Sequence, residues 1–416
     1  MRCQPRALRT EDTTVSLDPR DPAFVQNPYE AYRRWRSETP VFYWSELGHW
    51  CFARHEDVSA LLRDRRFGRQ ILHVATRAEL GWPETPSHLA PFYEFEEHSL
   101  LELEPPVHTR LRGFINPSFL PRQIERLRPR VENLARELVQ GLASKRSADL
   151  ITSFATPIPV MVIAGFLGVP ENMAPELLSW SHDMVAMYQA RRDAEIERRA
   201  VAATVAFSGY MRGLLAERRA KPGEDFLSQL VSAKDDEGGS LSEDELVTTA
   251  ILLLNAGHEA TVHAIGNGVR ALLEHGSPAD FLAAPAACAE EMLRFDTPLH
   301  MFKRYALEDL EYRGLRFKSG DQVGLLLASA NRDELKFQDA SQFLPARSPN
   351  PHVSFGAGIH FCVGAPLARL EIQTALRVLF ESLPDLRLDG EARFRDTWHF
   401  HALESLPVAW QRVSAA

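Results

Sequence analysis

The sequence predicts a mainly α protein with a smaller β region, folded as a single compact domain. Three observations lead there. Apolar residues recur at helical spacing along most of the chain, and strand-like stretches are few and short. A proline-free run of about 30 residues follows a capping signature at Ser242, long enough to cross a whole domain.

In chain order, Val41–Tyr43 and Trp50–Phe52 read as short strands rich in aromatic and β-branched residues. Leu127–Leu142 spaces Leu and Val three and four residues apart, as an amphipathic helix requires, and Val201–Arg219 does the same. The long helix starts after Ser242, which has Glu245 three residues on. It continues to Leu273, with Gly276 beyond its C-terminus. Gln322–Leu327 and Pro407–Trp410 are further strands, and Ala365–Phe380 is a helix. Prolines at Glu104–Val107 and Pro345–Pro351 mark loops. Residues 1–17 read as a polar N-terminal extension and 18–416 as the folded domain.

Composition narrows the function classes. The net charge of −9 is spread without a long single-sign run, which argues against nucleic acid as a partner. The most apolar stretches, Pro157–Val169 and Ala250–Leu254, fall short of the ~20 residues that span a bilayer. The polar N-terminus carries early acids and no apolar signal core. The expectation is therefore a cytoplasmic protein with no membrane anchor. Cys3, Cys51, Cys288 and Cys362 are too few for a disulfide framework, and none forms a CxxC pair.

The densest signal surrounds Cys362, in Phe355-Gly356-Ala357-Gly358-Ile359-His360-Phe361-Cys362-Val363-Gly364. The glycines permit tight turns and close approach of a flat ligand. A thiolate just before a helix is stabilised by the helix dipole and free N–H groups. On these grounds alone the segment is an activated cysteine, and a nucleophilic cysteine enzyme fits as well as a metal ligand.

The stretch resembles the haem-binding loop of the cytochrome P-450 family, F-G-x-G-x-H-x-C-x-G, at all six specified positions. The similarity extends from about Asp18 to the C-terminus. It includes Glu291 and Arg294 as an E-x-x-R pair, Asn331-Arg332-Asp333, and the later Phe343 and Arg347. The resemblance implies the cytochrome P-450 fold, with haem b (iron protoporphyrin IX) between a long distal helix and the Cys-ligand loop. Cys362 would be the metal ligand, with Phe355, Gly356 and Gly364 shaping its loop. In Glu104-Pro105-Pro106-Val107-His108-Thr109-Arg110-Leu111-Arg112, the matched His108 and Arg112 would contact the haem propionates. Arg304 and His360 match two further propionate positions; Arg suits bidentate carboxylate contacts. Taken without the motif, such a Glu–Arg pair is commonly an exposed helical pair of little energetic value. No separate metal site is expected, because the remaining His, Cys and carboxylates do not group at zinc-like spacings.

Ala256-Gly257-His258-Glu259-Ala260-Thr261 resembles the family's distal oxygen-activation segment, small-Gly-x-acid-Thr. Ala256 would lie against the haem, and Glu259, Ala260 and Thr261 are the catalytic candidates. Proton delivery needs a water-connected acid and an alcohol that holds the waters. Glu259 fills the acid position, but the alcohol position is Ala260. Thr261 is one residue on, about 100° round the helix. Water or a substrate hydroxyl completes the relay, a helix bulge brings Thr261 round, or the protein favours peroxide. Helical spacing places Leu252 and Asn255 on the same face, as candidates for substrate contact. Leu299, His300, Phe302, His399 and Phe400 are the other candidates. Met173–Ala190 is expected to form part of a mobile lid.

The resemblance thus implies a monooxygenase that inserts one atom of O2 into a small hydrophobic molecule by hydroxylation, O-dealkylation or epoxidation. The chain has no iron–sulfur cysteine cluster, so electrons are expected from a ferredoxin and ferredoxin reductase. A peroxide-driven peroxygenase, or a haem-thiolate isomerase or dehydratase, is the alternative that Ala260 favours. A non-catalytic haem sensor fits poorly with an acid at Glu259.

Overall fold

The computed structural model describes residues 13–188, 192–397, 400–411 and 413. Contacts divide the chain into two units. The first is Met1–Pro83, Asn267–Cys362 and Ala392–Glu404; the second is Glu84–Gly266, Val363–Glu391 and Ser405–Ala416.

The first unit carries a six-stranded sheet. Its order is Thr14–Val15, Val41–Trp44, His49–Phe52, Gln322–Leu326, Met301–Ala306 and Phe67–Gly68. Val41–Trp44 and His49–Phe52 form an antiparallel hairpin, and His49–Phe52 pairs in parallel with Gln322–Leu326. Thr14–Val15 adds a parallel edge strand against Tyr43 and Trp44. The folded domain therefore begins before residue 18, because those backbone groups are paired rather than solvated. One sheet face buries Phe52, Leu61, Phe317, Val323 and Leu325; Tyr32, Trp35, Phe42 and Trp44 fill another cluster. The β-branched and aromatic residues that suggested strands are the ones that fill these clusters.

The second unit is helical, with a small sheet of Arg387–Leu388, Pro407–Ala409 and Ser147–Asp149. Its helices include Val107–Ile115, Arg128–Leu142, Pro157–Leu167, Ala174–Val185, Ala194–Ala220 and Ala365–Ser382. The long helix runs Glu243–His275, 33 residues, and its residues to Gly266 count with this unit. The capping box forms as expected. Glu245 N–H donates to Ser242 Oγ at 3.2 Å, and Ser242 N–H donates to Glu245 Oε2 at 2.8 Å. Glu245 also pairs with Arg110. Gly257 lets the helix pack against Pro157–Leu167, since a Cβ there would stand 3.0 Å from Ile163 Cγ1. The fold is mainly helical with a smaller β region, as the periodicity indicated. Among the described residues, no helix is long and apolar enough to cross a membrane.

Candidate functional site

Glu291 and Arg294 sit on the helix Pro285–Phe295 and are fully buried. Arg294 Nε donates to Glu291 Oε2 at 2.7 Å and Nη2 to Oε1 at 2.8 Å. Its remaining N–H groups reach the carbonyls of Asn331 (2.9 Å), Ala340 (2.8 Å) and Gln342 (2.9 Å). Arg347 Nε, Leu344 N–H and Asn350 Nδ2 also donate to Glu291. A buried ion pair is tolerable only when each lone pair and proton is matched in this way. The pair is therefore no exposed helical contact: it ties three loop carbonyls to one helix.

From Asn331 the network reaches the cysteine loop. Asn331 Nδ2 donates to Ser354 Oγ (2.8 Å), Val353 N–H donates to Asn331 Oδ1 (2.8 Å), and Ser354 Oγ–H donates to Leu293 O (2.8 Å). Phe355 follows at once, and its carbonyl accepts from Cys362 N–H at 2.9 Å, closing the loop. Two glycines in it have positive φ. A Cβ on Gly358 (φ +72°) would stand 2.5 Å from Leu62 O, and one on Gly356 (φ +67°) 3.3 Å from Phe302 Cε2. Only glycine fits such positions. Gly364 caps the helix Ala365–Ser382.

Cys362 is the exposed thiol among the described cysteines, whereas Cys51 and Cys288 are buried. Burial pushes the Cys288 thiol up to about 12 and Cys51 higher still. One accessible sulfur on a rigid glycine turn fits a haem-iron thiolate. Arg304, buried in the strand Met301–Ala306, stands with Cζ 5.7 Å from the Phe302 ring centroid, and that ring also lies against Gly356. The structure thus brings Arg304, Phe302 and the cysteine loop together, with His360 ending the turn Gly358–His360. In the second unit, His108 is buried and Arg112 half-buried one turn apart on Val107–Ile115.

On the long helix, Leu252, Ala256 and Ala260 form a partly exposed stripe on an otherwise mostly buried rod. Glu259 lies beside it among three imidazoles. His263 Nε2 is 3.2 Å from its Oε1, and His258 Nε2 and His182 Nε2 are 3.5 and 3.6 Å from its Oε2. Burial would raise the carboxyl pKa, but the hydrogen bonds from these histidines outweigh it and hold the group well below the usual carboxylate range. Sequence reading missed this cage. Its local half, His258-Glu259 with His263 four residues on, is visible in the sequence, whereas His182 arrives from another helix.

Several expectations need correction. Thr261 is buried, and its Oγ1 lies 3.5 Å from Gly257 O in an unbroken helix, so no bulge brings it to the position of Ala260. His300 is a core residue: fully buried, with Nδ1 3.0 Å from Tyr32 Oη and its ring 4.7 Å from that of His401. No surface remains on it for a substrate. Asn255 Nδ2 reaches Met184 Sδ on Ala174–Val185 at 3.9 Å, a contact between two helices that leaves its reading as a substrate contact open. Leu299 and Phe400 meet in a β-bridge. His399 lies outside the described residues.

This fold, with a thiol loop anchored by a buried E-x-x-R pair, defines a class. The family model described as Cytochrome P450 matches residues 83–277 and 285–383. The chain belongs to the cytochrome P450 family, and it is an enzyme of the haem-thiolate monooxygenase type. It is 38% identical to Cytochrome P450 107B1 of Saccharopolyspora erythraea, over 93% of this chain and 96% of that one. It is 35% identical to the Polyketide biosynthesis cytochrome P450 PksS of Bacillus subtilis, over 95% and 98%. Among solved structures, P450BioI in complex with a hexadec-9Z-enoic acid ligated acyl carrier protein aligns with TM-score 0.85 at 34% identity, covering 94% of this chain and 100% of that one. Epothilone D-bound P450epoK aligns with TM-score 0.86 at 30% identity, covering 95% and 99%.

Proposed function

We propose that the chain inserts one atom of O2 into a hydrophobic organic molecule, with electrons from an external ferredoxin and its reductase. The observation that carries the reading is the exposed Cys362 thiol on a glycine turn anchored through Ser354 and Asn331 to the buried Glu291–Arg294 pair. Haem b, when bound, supplies the oxygen-activating iron. Cys362 donates the thiolate, and His108, Arg112, Arg304 and His360 hold the propionates. The relatives' names include a Vitamin D(3) 25-hydroxylase and a 6-deoxyerythronolide B hydroxylase, which favours a bulky, largely apolar substrate and a hydroxylation. The apolar stripe of Leu252, Ala256 and Ala260 suits such a surface.

Proton delivery rests on Glu259 and water, with Ala260 leaving a gap where an alcohol would stand. General acid–base assistance is worth about 10²–10⁴-fold. Glu259→Gln is expected to lower O2-driven turnover by about tenfold or more at unchanged haem content; equal turnover overturns the role. A second reading, peroxide-driven oxygenation, is favoured by the burial of Thr261 away from the stripe. The test has two steps. The reduced carbon monoxide complex is expected to show the strongly red-shifted Soret band of thiolate ligation. Product formation is then compared between ferredoxin with reductase and peroxide alone. Product only with peroxide selects the second reading, and an unshifted Soret band overturns both.

A further inference from the structure

The cage around Glu259 has the chemistry of a metal site. His182 Nε2, His258 Nε2 and a Glu259 carboxylate oxygen all lie within 4.8 Å of one another. The two nitrogens stand 3.6 and 3.5 Å from Glu259 Oε2. Ligands about 2.0–2.1 Å from a tetrahedral zinc are separated by about 3.3 Å, so each nitrogen stands nearly at ligand spacing from the carboxylate oxygen.

The proton positions point the same way. His258 Nδ1 lies 2.8 Å from Leu254 O. A carbonyl only accepts, so Nδ1 carries a proton, and in the neutral ring Nε2 presents a lone pair. That Nε2 is buried, on a residue 1% exposed, and stands 3.5 Å from a carboxylate oxygen that only accepts. Either a proton on Nε2, donated to Glu259, or a metal ion between the two atoms satisfies this contact. On the far side, His263 Nε2 lies 3.2 Å from Glu259 Oε1 and orients the carboxylate, as outer-shell partners of metal sites do. His182 is half exposed, which leaves room for water as a fourth ligand.

We propose that, in the resting enzyme, His182, His258 and Glu259 bind a zinc-class divalent cation, which ties the helix Ala174–Val185 to the long helix and occupies the carboxylate that the proposed proton relay uses. Two imidazoles and one carboxylate suit zinc. The ligand set escaped the sequence reading because His182 is far from the other two in the chain. The other histidine–carboxylate cluster, Asp296 with His300 and His401, makes a poor cation site. Its carboxylate already accepts from Tyr29, His401 and Arg270, and the Arg270 guanidinium repels a cation.

Zinc(II) binding is measured by equilibrium dialysis on the haem-loaded, chelator-stripped resting enzyme, with no turnover required. This readout is independent of the proposed monooxygenase reaction. The expected result is one zinc per chain at micromolar or tighter affinity. His182→Ala, a change at a half-exposed position, is expected to weaken binding tenfold or more. His88→Ala, at an exposed histidine paired with Glu197, is expected to leave it unchanged. Absence of zinc from the wild type, or a loss below tenfold in H182A, overturns the site.

Discussion

Removing the Arg294 guanidinium would leave three loop carbonyls and the buried Glu291 carboxylate short of donors, since its N–H groups serve all four. Breaking one partner of a buried pair costs about 3–5 kcal/mol. Arg294→Ala is expected to destabilise by that amount in denaturant titration and to lower haem content, because Asn331 and Ser354 link the pair to the cysteine loop. Glu371 is the opposite case. It is buried on Ala365–Ser382 with neither carboxyl oxygen hydrogen-bonded, and burial pushes its pKa well above the carboxylate range. The folded state therefore keeps a proton that the unfolded chain releases near pH 4–5, so stability falls as pH rises above that point. Glu371→Gln is expected to raise the melting temperature at pH 7–8, with the gain vanishing near pH 4. A pH-independent shift would exclude protonation as the cause.

The long helix shows what an element adds to its residues. Its apolar run fixed its existence and its capping box fixed its start, but burial on nearly all sides decides what each position can do. Ala260 faces the partly exposed stripe, whereas Thr261, one residue on, is packed in the interior. The two cannot exchange roles without a bulge, and the helix has none. Ala260→Thr is therefore expected to place an alcohol on the stripe. It should raise the ratio of product formed to reductant consumed several-fold in the ferredoxin-driven reaction. An unchanged ratio would show that water or substrate already completes the relay. Gly257 has a packing role, because a Cβ there would stand 3.0 Å from Ile163 Cγ1.

At the scale of the whole molecule, each contact unit is assembled from three separated chain segments. Cys362 is thus held by residues from three stretches of the first unit: Leu62, the Glu291–Phe302 region and Asn331–Phe355. A ligand that binds only such an assembled site stabilises the folded state by mass action, about 4 kcal/mol at a thousandfold excess over its Kd. Haem-loaded protein is accordingly expected to melt on the order of 10 °C above the haem-depleted form, read by circular dichroism. Coincident melting curves would contradict a resident haem.

The sequence by itself determined the family, the cysteine loop, the E-x-x-R pair and four of the helices, among them the long helix and Ala365–Ser382, whereas Val107–Ile115, Ala174–Val185 and Pro285–Phe295 were not read from it. Those features rest on local chemistry: apolar spacing sets helices, and a fixed run of glycines, His and Cys sets one turn. The sequence left open which polar residues face a cavity, because that depends on which helix covers them. Tertiary structure alone turned His300 into a core residue against Tyr32, set Asn255 against Met184 and buried Thr261. It also carried His182 from a separate helix to Glu259. A distance of a few ångströms between residues far apart in the chain comes from packing, and no spacing in the sequence records it.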